Sequence, residues 1–279
     1  MRSGFVALVG RPNVGKSSLV NAICGEKVTI VSHVPQTTRR RVRGVLHLPD
    51  AQLVLVDTPG IHEATTALGR SANEAAREAA SDVDVTCLVL DAEAGWGDAD
   101  EAVARTCDMR RTVVVVNKVD LAGPAATAAC LAATATLGAM AWHPVSARTG
   151  DGIPPLVEAL AAAMPEGPAL YPTGTVRESD DDAWIAELVR EELMRRTREE
   201  VPHSIATRVA GRDGRTVRCE IIVERESQKG IVIGAGGSML AAVRTAVARS
   251  LPVGTRLELQ VRVMRNWQRD EEQVARLLD

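Results

Sequence analysis

Apolar residues follow two periods along this chain, and the switching between them predicts most of its architecture. Residues 5–9 form a short continuous apolar run suited to a buried strand, and residues 18–23 space their apolar positions like a helix. Residues 42–48 and 52–56 read as strands of a hairpin around Pro49-Asp50. After them come a helix over 72–81, a strand over 85–90, a helix over 98–109 and a strand over 113–116. An Ala-rich helix over 125–137, a last strand over 140–145 and a helix over 153–164 complete the series. Strands alternating with helices imply an α/β domain. Its mostly parallel sheet is covered on both faces, with ligands at the carboxyl ends of the strands.

The pattern then breaks. Pro165, Gly167, Pro168 and Pro172 prevent any regular element, so residues 1–165 are expected as one domain, 166–178 as a linker and 179–279 as a second domain. In the second domain, 179–200 reads as an amphipathic helix with Ser179 as its cap and Ile185, Leu188, Val189 and Leu193 at helical spacing. Residues 204–210 and 216–225 alternate like half-buried strands about a hairpin turn at 211–214. A helix, a glycine-rich turn at 234–237, a helix over 238–249, a strand over 256–264 and a C-terminal helix follow.

Chemistry enters first between the opening strand and helix, where residues 10–17 read G-x-x-x-x-G-K-S. Strand, glycine-rich loop, helix is the setting a P-loop requires. Its glycines turn backbone N–H groups around a phosphate, and the helix N-terminus adds partial positive charge. Gly10, Asn13, Val14, Gly15, Lys16, Ser17 and Ser18 are the expected phosphate-binding residues; Lys16 reaches the β/γ-phosphates and Ser17 is a ligand for Mg²⁺. Residues 28–43 are polar and basic and read as a long switch loop, in which Thr37 or Thr38 completes the metal shell, Thr38 being the favoured of the two. Asp57-Thr58-Pro59-Gly60 ends the next strand. Asp57 can hold Mg²⁺ through water and the Gly60 N–H can bond a γ-phosphate.

Many GTPases place a Gln after that glycine to orient the attacking water, but here Ile61 follows. Hydrolysis must then be slow or draw electrostatic help elsewhere. The side-chain carbonyl of Asn13 could hold a monovalent cation, K⁺, against the phosphates. The expected catalytic set is therefore Lys16, Thr38, Gly60 and Asn13. Residues 62–71 read as a second switch. Asn117-Lys118-Val119-Asp120 is a base-reading signature. The Asp120 carboxylate accepts the N1–H and 2-amino donors of guanine, and adenine would leave it desolvated and unpaired. The Lys118 stem can cover the base, and a backbone N–H at Ser146-Ala147 can bond guanine O6.

Composition narrows the setting. The chain has 33 Lys and Arg, but only Lys16, Lys27, Lys118 and Lys229 are lysines, two of them inside the nucleotide signatures. A net charge of −3 excludes a uniformly basic protein, yet residues 205–269 carry 12 basic and 5 acidic side chains, a local field that can hold a polyanion. Five scattered cysteines without a C-x-x-C pair exclude a disulfide or zinc framework and fit a cytoplasmic protein. The N-terminus enters its first strand at once, leaving no room for a signal peptide, and no apolar run approaches a membrane span.

The second half has the αββααβ order of a type II KH domain, whose G-x-x-G turn clamps about four nucleotides of a single strand. Its expected RNA-binding residues are Lys229, Gly230, Ile233, Gly234, Ala235, Gly236, Gly237 and Arg244. Loops of this kind generally carry a basic residue between the glycines; Ala235 departs from that pattern. Together, G-R-P-N-V-G-K-S, P-Q-T-T-R, D-T-P-G, N-K-V-D, S-A and V-E-R-E-S-Q-K-G-I-V-I-G-A-G-G resemble the bacterial Era GTPases over essentially the whole chain. The resemblance implies a GTP-hydrolysing switch that uses Mg²⁺, binds small-subunit ribosomal RNA near its 3′ end and assists maturation of the 30S subunit. It also implies K⁺ at Asn13, a hydrophobic residue at Ile61, a monomer and peripheral membrane contact, for which no amphipathic anchor is evident. Rival readings are a non-catalytic RNA scaffold, a tRNA-modifying GTPase, and a regulator that turns its G-x-x-G domain toward protein.

Overall fold

Strand β1 (Arg2–Val9) is buried over most of its length because it is sandwiched in a sheet with helices on both faces. The computed structural model describes residues 1–61, 64–178 and 180–278. By contact, the chain divides into one unit of residues 1–31, 35–65 and 69–178 and another of 32–34, 66–68 and 179–279.

In the first unit β1 pairs in parallel with β3 (Ala51–Asp57) and β4 (Val85–Asp91), and β4 continues in parallel to β5 (Thr112–Asn117) and β6 (Ala141–Pro144). On the other edge β2 (Val42–His47) runs antiparallel to β3, and with β7 (Arg177–Glu178) the order is β6-β5-β4-β1-β3-β2-β7. The four consecutive valines of β5 suit a strand buried on both faces. Helix α1 (Lys16–Cys24) starts after Gly15 and ends at Gly25, both left-handed, and turns Leu19, Val20 and Ile23 inward. These meet Leu53, Leu55, Leu156 and Leu160, the last two from α5 (Ile153–Ala163). Each such side chain contributes about 1.5–3 kcal/mol on burial.

Several element ends differ from the sequence reading. Helix α2 spans Ala67–Ser81, so 67–71 is helical rather than part of a loop, while His62 and Glu63 of the expected second switch lie outside the described residues. Helix α3 (Asp98–Ala104) stops earlier than expected, and α4 (Val119–Thr134) starts earlier but breaks at Gly123 (φ 74, ψ 174), before Pro124. The linker is more ordered than its prolines suggest. Ser3 Oγ donates to the Pro168 carbonyl at 2.6 Å, and Gln52 Oε1 accepts the Leu170 and Tyr171 N–H groups at 2.7 and 2.9 Å. The linker ends in β7 (Arg177–Glu178), which covers the open edge of β2. Glu178 there accepts Arg43 Nη1 at 2.8 Å and the Tyr171 hydroxyl.

In the second unit the expected cap Ser179 lies outside the described residues, and Asp180 caps α6 (Asp181–Arg196) by accepting the Asp182 N–H. A separate turn, α7 (Val201–Ser204), follows at Pro202. Strand β8 (Ala206–Asp213) runs through the expected hairpin turn with a register shift near Gly211. The reversal falls at Gly214-Arg215, before β9 (Thr216–Val223). The β9 strand pairs in parallel with β10 (Arg256–Val263), giving the order β10-β9-β8. Between them lie α8 (Glu226–Ile233) and α9 (Ser238–Ala248). Val217, Cys219 and Ile221 face Val232, Val243 and Leu188 in one core, whereas Ala206 and Ile222 pack with Trp267 and with Val274 and Leu277 of α10 (Glu271–Leu278). The stretch Glu226–Ala248 has the length and hydropathy of a membrane span, contrary to the sequence expectation, but non-helical Gly234 and Gly236 divide it.

Candidate functional site

The P-loop leaves β1 at Gly10, passes through Asn13 (φ 64) and Gly15 (φ 96), and enters α1 at Lys16. A side chain at Gly15 would put its Cβ 2.3 Å from Asn117 Nδ2, so only glycine lets the two loops approach. Lys16 is 6% exposed and donates to the Gly10 and Arg11 carbonyls at 3.0 and 2.8 Å. Burial pulls its ammonium from 10.5 down to about 8, against the opposing pull of the Asp57 carboxylate.

Three elements converge beside Lys16. Ser17 Oγ lies 2.9 Å from Thr38 Oγ1, and Asp57 Oδ2 accepts hydrogen bonds from Thr29 at 2.9 Å and Thr38 at 3.3 Å. Asp57 is fully buried, and its Oδ1 has no hydrogen-bond partner. Burial pushes its carboxyl above the usual range despite hydrogen bonds from Ser17, Thr29 and Thr38 and the Lys16 charge. An orphaned buried carboxylate oxygen beside two hydroxyls is a hard-oxygen donor set that fits Mg²⁺. The favoured threonine, Thr38, lies in hydrogen-bonding range of both Ser17 and Asp57.

Gly60 abuts the P-loop at Pro12, and the Ile61 N–H donates to the Gly10 carbonyl at 3.3 Å. The Ile61 side chain packs against the apolar cluster of Val9, Leu88 and Leu90. It offers nothing to a water. Asn13 is exposed on the loop.

At the far end, Asn117 is 1% exposed and acts as a strut: its Nδ2 donates to the Val14 carbonyl at 2.9 Å and its Oδ1 accepts the Ala147 N–H at 3.0 Å. That N–H, one candidate for guanine O6, is thereby engaged by Asn117. Asp120 accepts Ser146 Oγ at 2.6 Å on Oδ1 and Arg148 Nε at 2.7 Å on Oδ2; these contacts hold it below the usual carboxylate range. Lys118 (φ 66) pairs with Asp91 at 2.5 Å. Thr29, Arg148 and the pair Arg11–Asp100 (2.7 Å) escaped the sequence reading. For Arg148 a signal existed, its place next to Ser146-Ala147.

The glycine-rich turn joins α8 to α9. Gly234 (φ 74) packs so closely that a Cβ would lie 2.7 Å from the Met239 nitrogen, whereas Gly236 and Gly237 (φ 59 and 82) face open space. Ala235 and Gly236 are exposed, as are Gly230 and Arg244; Lys229, Ile233 and Gly237 are half-buried. The structure thus places all eight expected residues on one helix–turn–helix with bare backbone at its tip.

Comparison with known proteins agrees with both halves. The profile of the 50S ribosome-binding GTPase family matches residues 5–118, and that of the KH domain matches residues 200–268. The GTPase Era of Mycobacterium tuberculosis is 44% identical over 293 residues, spanning 99% of this chain and 98% of that protein; the GTPase Era of Mycobacterium avium is 42% identical with the same coverage. A crystal structure of Era in complex with MgGDPNP and nucleotides 1506–1542 of 16S ribosomal RNA matches with a TM-score of 0.93 and 35% identity, covering 100% of this chain and 98% of that one. Aquifex aeolicus Era bound to GDP·AlF4⁻, in a single-residue variant, matches with a TM-score of 0.93 and 36% identity, covering 100% and 99%.

Proposed function

The chain belongs to the Era family of GTPases, and from that premise we propose that its nucleotide state governs binding of small-subunit ribosomal RNA near the 3′ end, in support of 30S assembly. In this reading residues 1–165 form the GTPase domain, 166–178 the linker and 179–279 the KH domain. The protein acts in the cytoplasm as a monomer; peripheral membrane contact rests on family resemblance alone.

The observation that carries the nucleotide reading is the orphaned Asp57 oxygen beside Ser17 and Thr38 and within the field of Lys16. The P-loop N–H groups of Gly10–Ser17 cradle the phosphates, and Lys16 directs its remaining N–H at them. Ser17, Thr38 and Asp57 would hold Mg²⁺, which neutralises charge on the β- and γ-phosphates. Gly60 senses the γ-phosphate through its N–H. Asp120 selects guanine, with Lys118 over the base and Asn117 bracing the pocket. Because Ile61 is apolar and turned into the core, we assign the missing electrostatic help to K⁺ held by Asn13. Lys229, Arg244 and the bare backbone of residues 234–237 would contact RNA phosphates, supported by the local positive charge.

Coupling between the halves has a physical route within the first unit: the switch loop ends in β2, and β2 pairs with β7 at the end of the linker. The test is RNA crosslinking with the 3′ segment of 16S rRNA, done with GDP and with a non-hydrolysable GTP analogue. Crosslinks within residues 229–249 that strengthen with the analogue are expected. Equal crosslinking in both states would refute the coupling, and crosslinks elsewhere would refute the KH assignment. A K⁺-for-Na⁺ exchange that leaves hydrolysis unchanged would remove Asn13 from the mechanism.

A further inference from the structure

We propose that the half-buried ion pair between Arg11 and Asp100 is a positioning device that aims Lys16 at the phosphates. The inference rests on the assignment of Lys16 as a phosphate ligand. Arg11 Nε donates to Asp100 Oδ1 at 2.7 Å, across 89 residues of sequence, from the P-loop to the first turn of α3. The Asp100 side chain is 1% exposed, and its second oxygen accepts the Gly97 N–H at 3.2 Å. A carboxylate this deep needs its cation.

Counting donors at Lys16 shows why Arg11 matters. An ammonium has three N–H bonds. Two are directed to the carbonyls of Gly10 and Arg11, leaving one for a phosphate oxygen. The direction of that third bond is therefore set by where the two carbonyls stand. The Gly10 carbonyl also accepts the Ile61 N–H, and the Gly10 backbone sits against the Val89 carbonyl, where a Cβ would come within 2.4 Å. Arg11 precedes Pro12, which confines it to extended backbone without choosing an orientation within that region. The ion pair to Asp100 makes that choice. Asp100 is a positioning residue two steps removed from the ligand, acting through Arg11 and then Lys16.

The test compares Asp100→Asn, Arg11→Ala, Arg11→Lys and their Arg11→Ala/Asp100→Asn double variant in the full-length protein, with Lys16→Ala as control. Asp100→Asn keeps the side-chain shape and the acceptor for Gly97 but discards the charge. Expected is a loss on the order of tenfold in affinity for GDP and for a non-hydrolysable GTP analogue alike, together with a lower kcat at saturating GTP. Arg11→Ala should match it and Arg11→Lys should recover part of the loss. The double variant should bind no more weakly than Arg11→Ala, while its melting temperature rises above that of Arg11→Ala, because Asn leaves no buried charge without its cation. A purely structural role for the pair would lower melting temperatures and leave the affinities of the folded variants unchanged. Wild-type affinity in Asp100→Asn, or losses that multiply in the double variant, overturns the proposal. If Asp100→Asn does not fold, wild-type affinity in Arg11→Ala overturns it instead. Should Lys16→Ala itself bind like wild type, the phosphate-ligand assignment falls and the proposal falls with it; loss in Lys16→Ala beside wild-type binding in Asp100→Asn overturns the proposal alone.

Discussion

A methyl group at Gly60 would test whether the closed contact between the Asp57–Gly60 segment and the P-loop matters for hydrolysis. An ideal Cβ there lies 2.6 Å from the Pro12 nitrogen, 2.7 Å from its Cα and 2.9 Å from its Cγ, whereas ordinary contact begins at 3.4 Å. Two of these neighbours are backbone atoms, which cannot rotate aside, so the strand end or the P-loop must retreat by roughly 1 Å. The Ile61 N–H to Gly10 carbonyl bond, already 3.3 Å long, is the first to be lost. The Gly60 N–H then stops short of the γ-phosphate, and a displacement of that size costs on the order of 100-fold in rate, about 2.7 kcal/mol of barrier. GDP carries no γ-phosphate, and its binding should change little. Single-turnover hydrolysis of GTP by Gly60→Ala, beside equilibrium titration with GDP, separates the two effects. Hydrolysis at the wild-type rate would refute the reasoning, and so would an equal loss of GDP and GTP binding.

Three further outcomes follow from the same geometry. Asp120→Asn turns one acceptor into a donor, so GTP affinity should fall by on the order of 100-fold and xanthine nucleotides should gain, by competition titration; unchanged GTP affinity would contradict base reading. Nucleotide affinity should be flat below pH 8, where Lys16 is already charged, and fall by up to about tenfold per pH unit above it, where binding must take up a proton. Calorimetry in two buffers of different ionisation enthalpy detects that proton; its absence at pH 8.5 would rule Lys16 out. For folding the sign is opposite: the cost of burying the charged Lys16 is fully present below pH 8 and is relieved as pH rises toward 10.5. Ala235→Lys adds a cation at an exposed position of the glycine-rich turn and should tighten RNA binding several-fold while steepening its salt dependence by about one ion. An unchanged salt slope would place RNA elsewhere.

The order of elements was legible because burial leaves a periodic trace. The valine run of β5 and the Leu19, Val20, Ile23 stripe of α1 face cores that only apolar side chains can fill. Boundaries were less legible where backbone partners decide them. The linker's prolines conceal β7, whose two residues are held by the free edge of β2 and by the Arg43–Glu178 pair, features of the fold rather than of the segment. Strand β8 runs three residues past its expected end because Gly211 was absorbed by a register shift instead of forming the turn.

The site divides along a similar line. The residues proposed to touch the nucleotide are drawn from short loops at strand ends, so their spacing is set by local geometry and survives as motif: Lys16 and Ser17 in one loop, Asp57 and Gly60 in another, Asp120 in a third. Residues that hold those in place answer to a partner far along the chain, and any residue of suitable chemistry at the right point in space will serve. Thr29 reaches Asp57 across 28 residues, Asn117 reaches Val14 across 103 and Arg11 reaches Asp100 across 89. Nothing in a linear pattern ties such pairs together. Ile61 belongs with them, since the sequence says only that a water-orienting amide is missing, whereas its packing against Val9, Leu88 and Leu90 explains what stands there instead. An apolar side chain at that position ties the residue after Gly60 to the core, where it cannot orient a water. On the proposed function, hydrolysis is then either slow or helped by a group other than Ile61, and comparing turnover in K⁺ and Na⁺ separates the two.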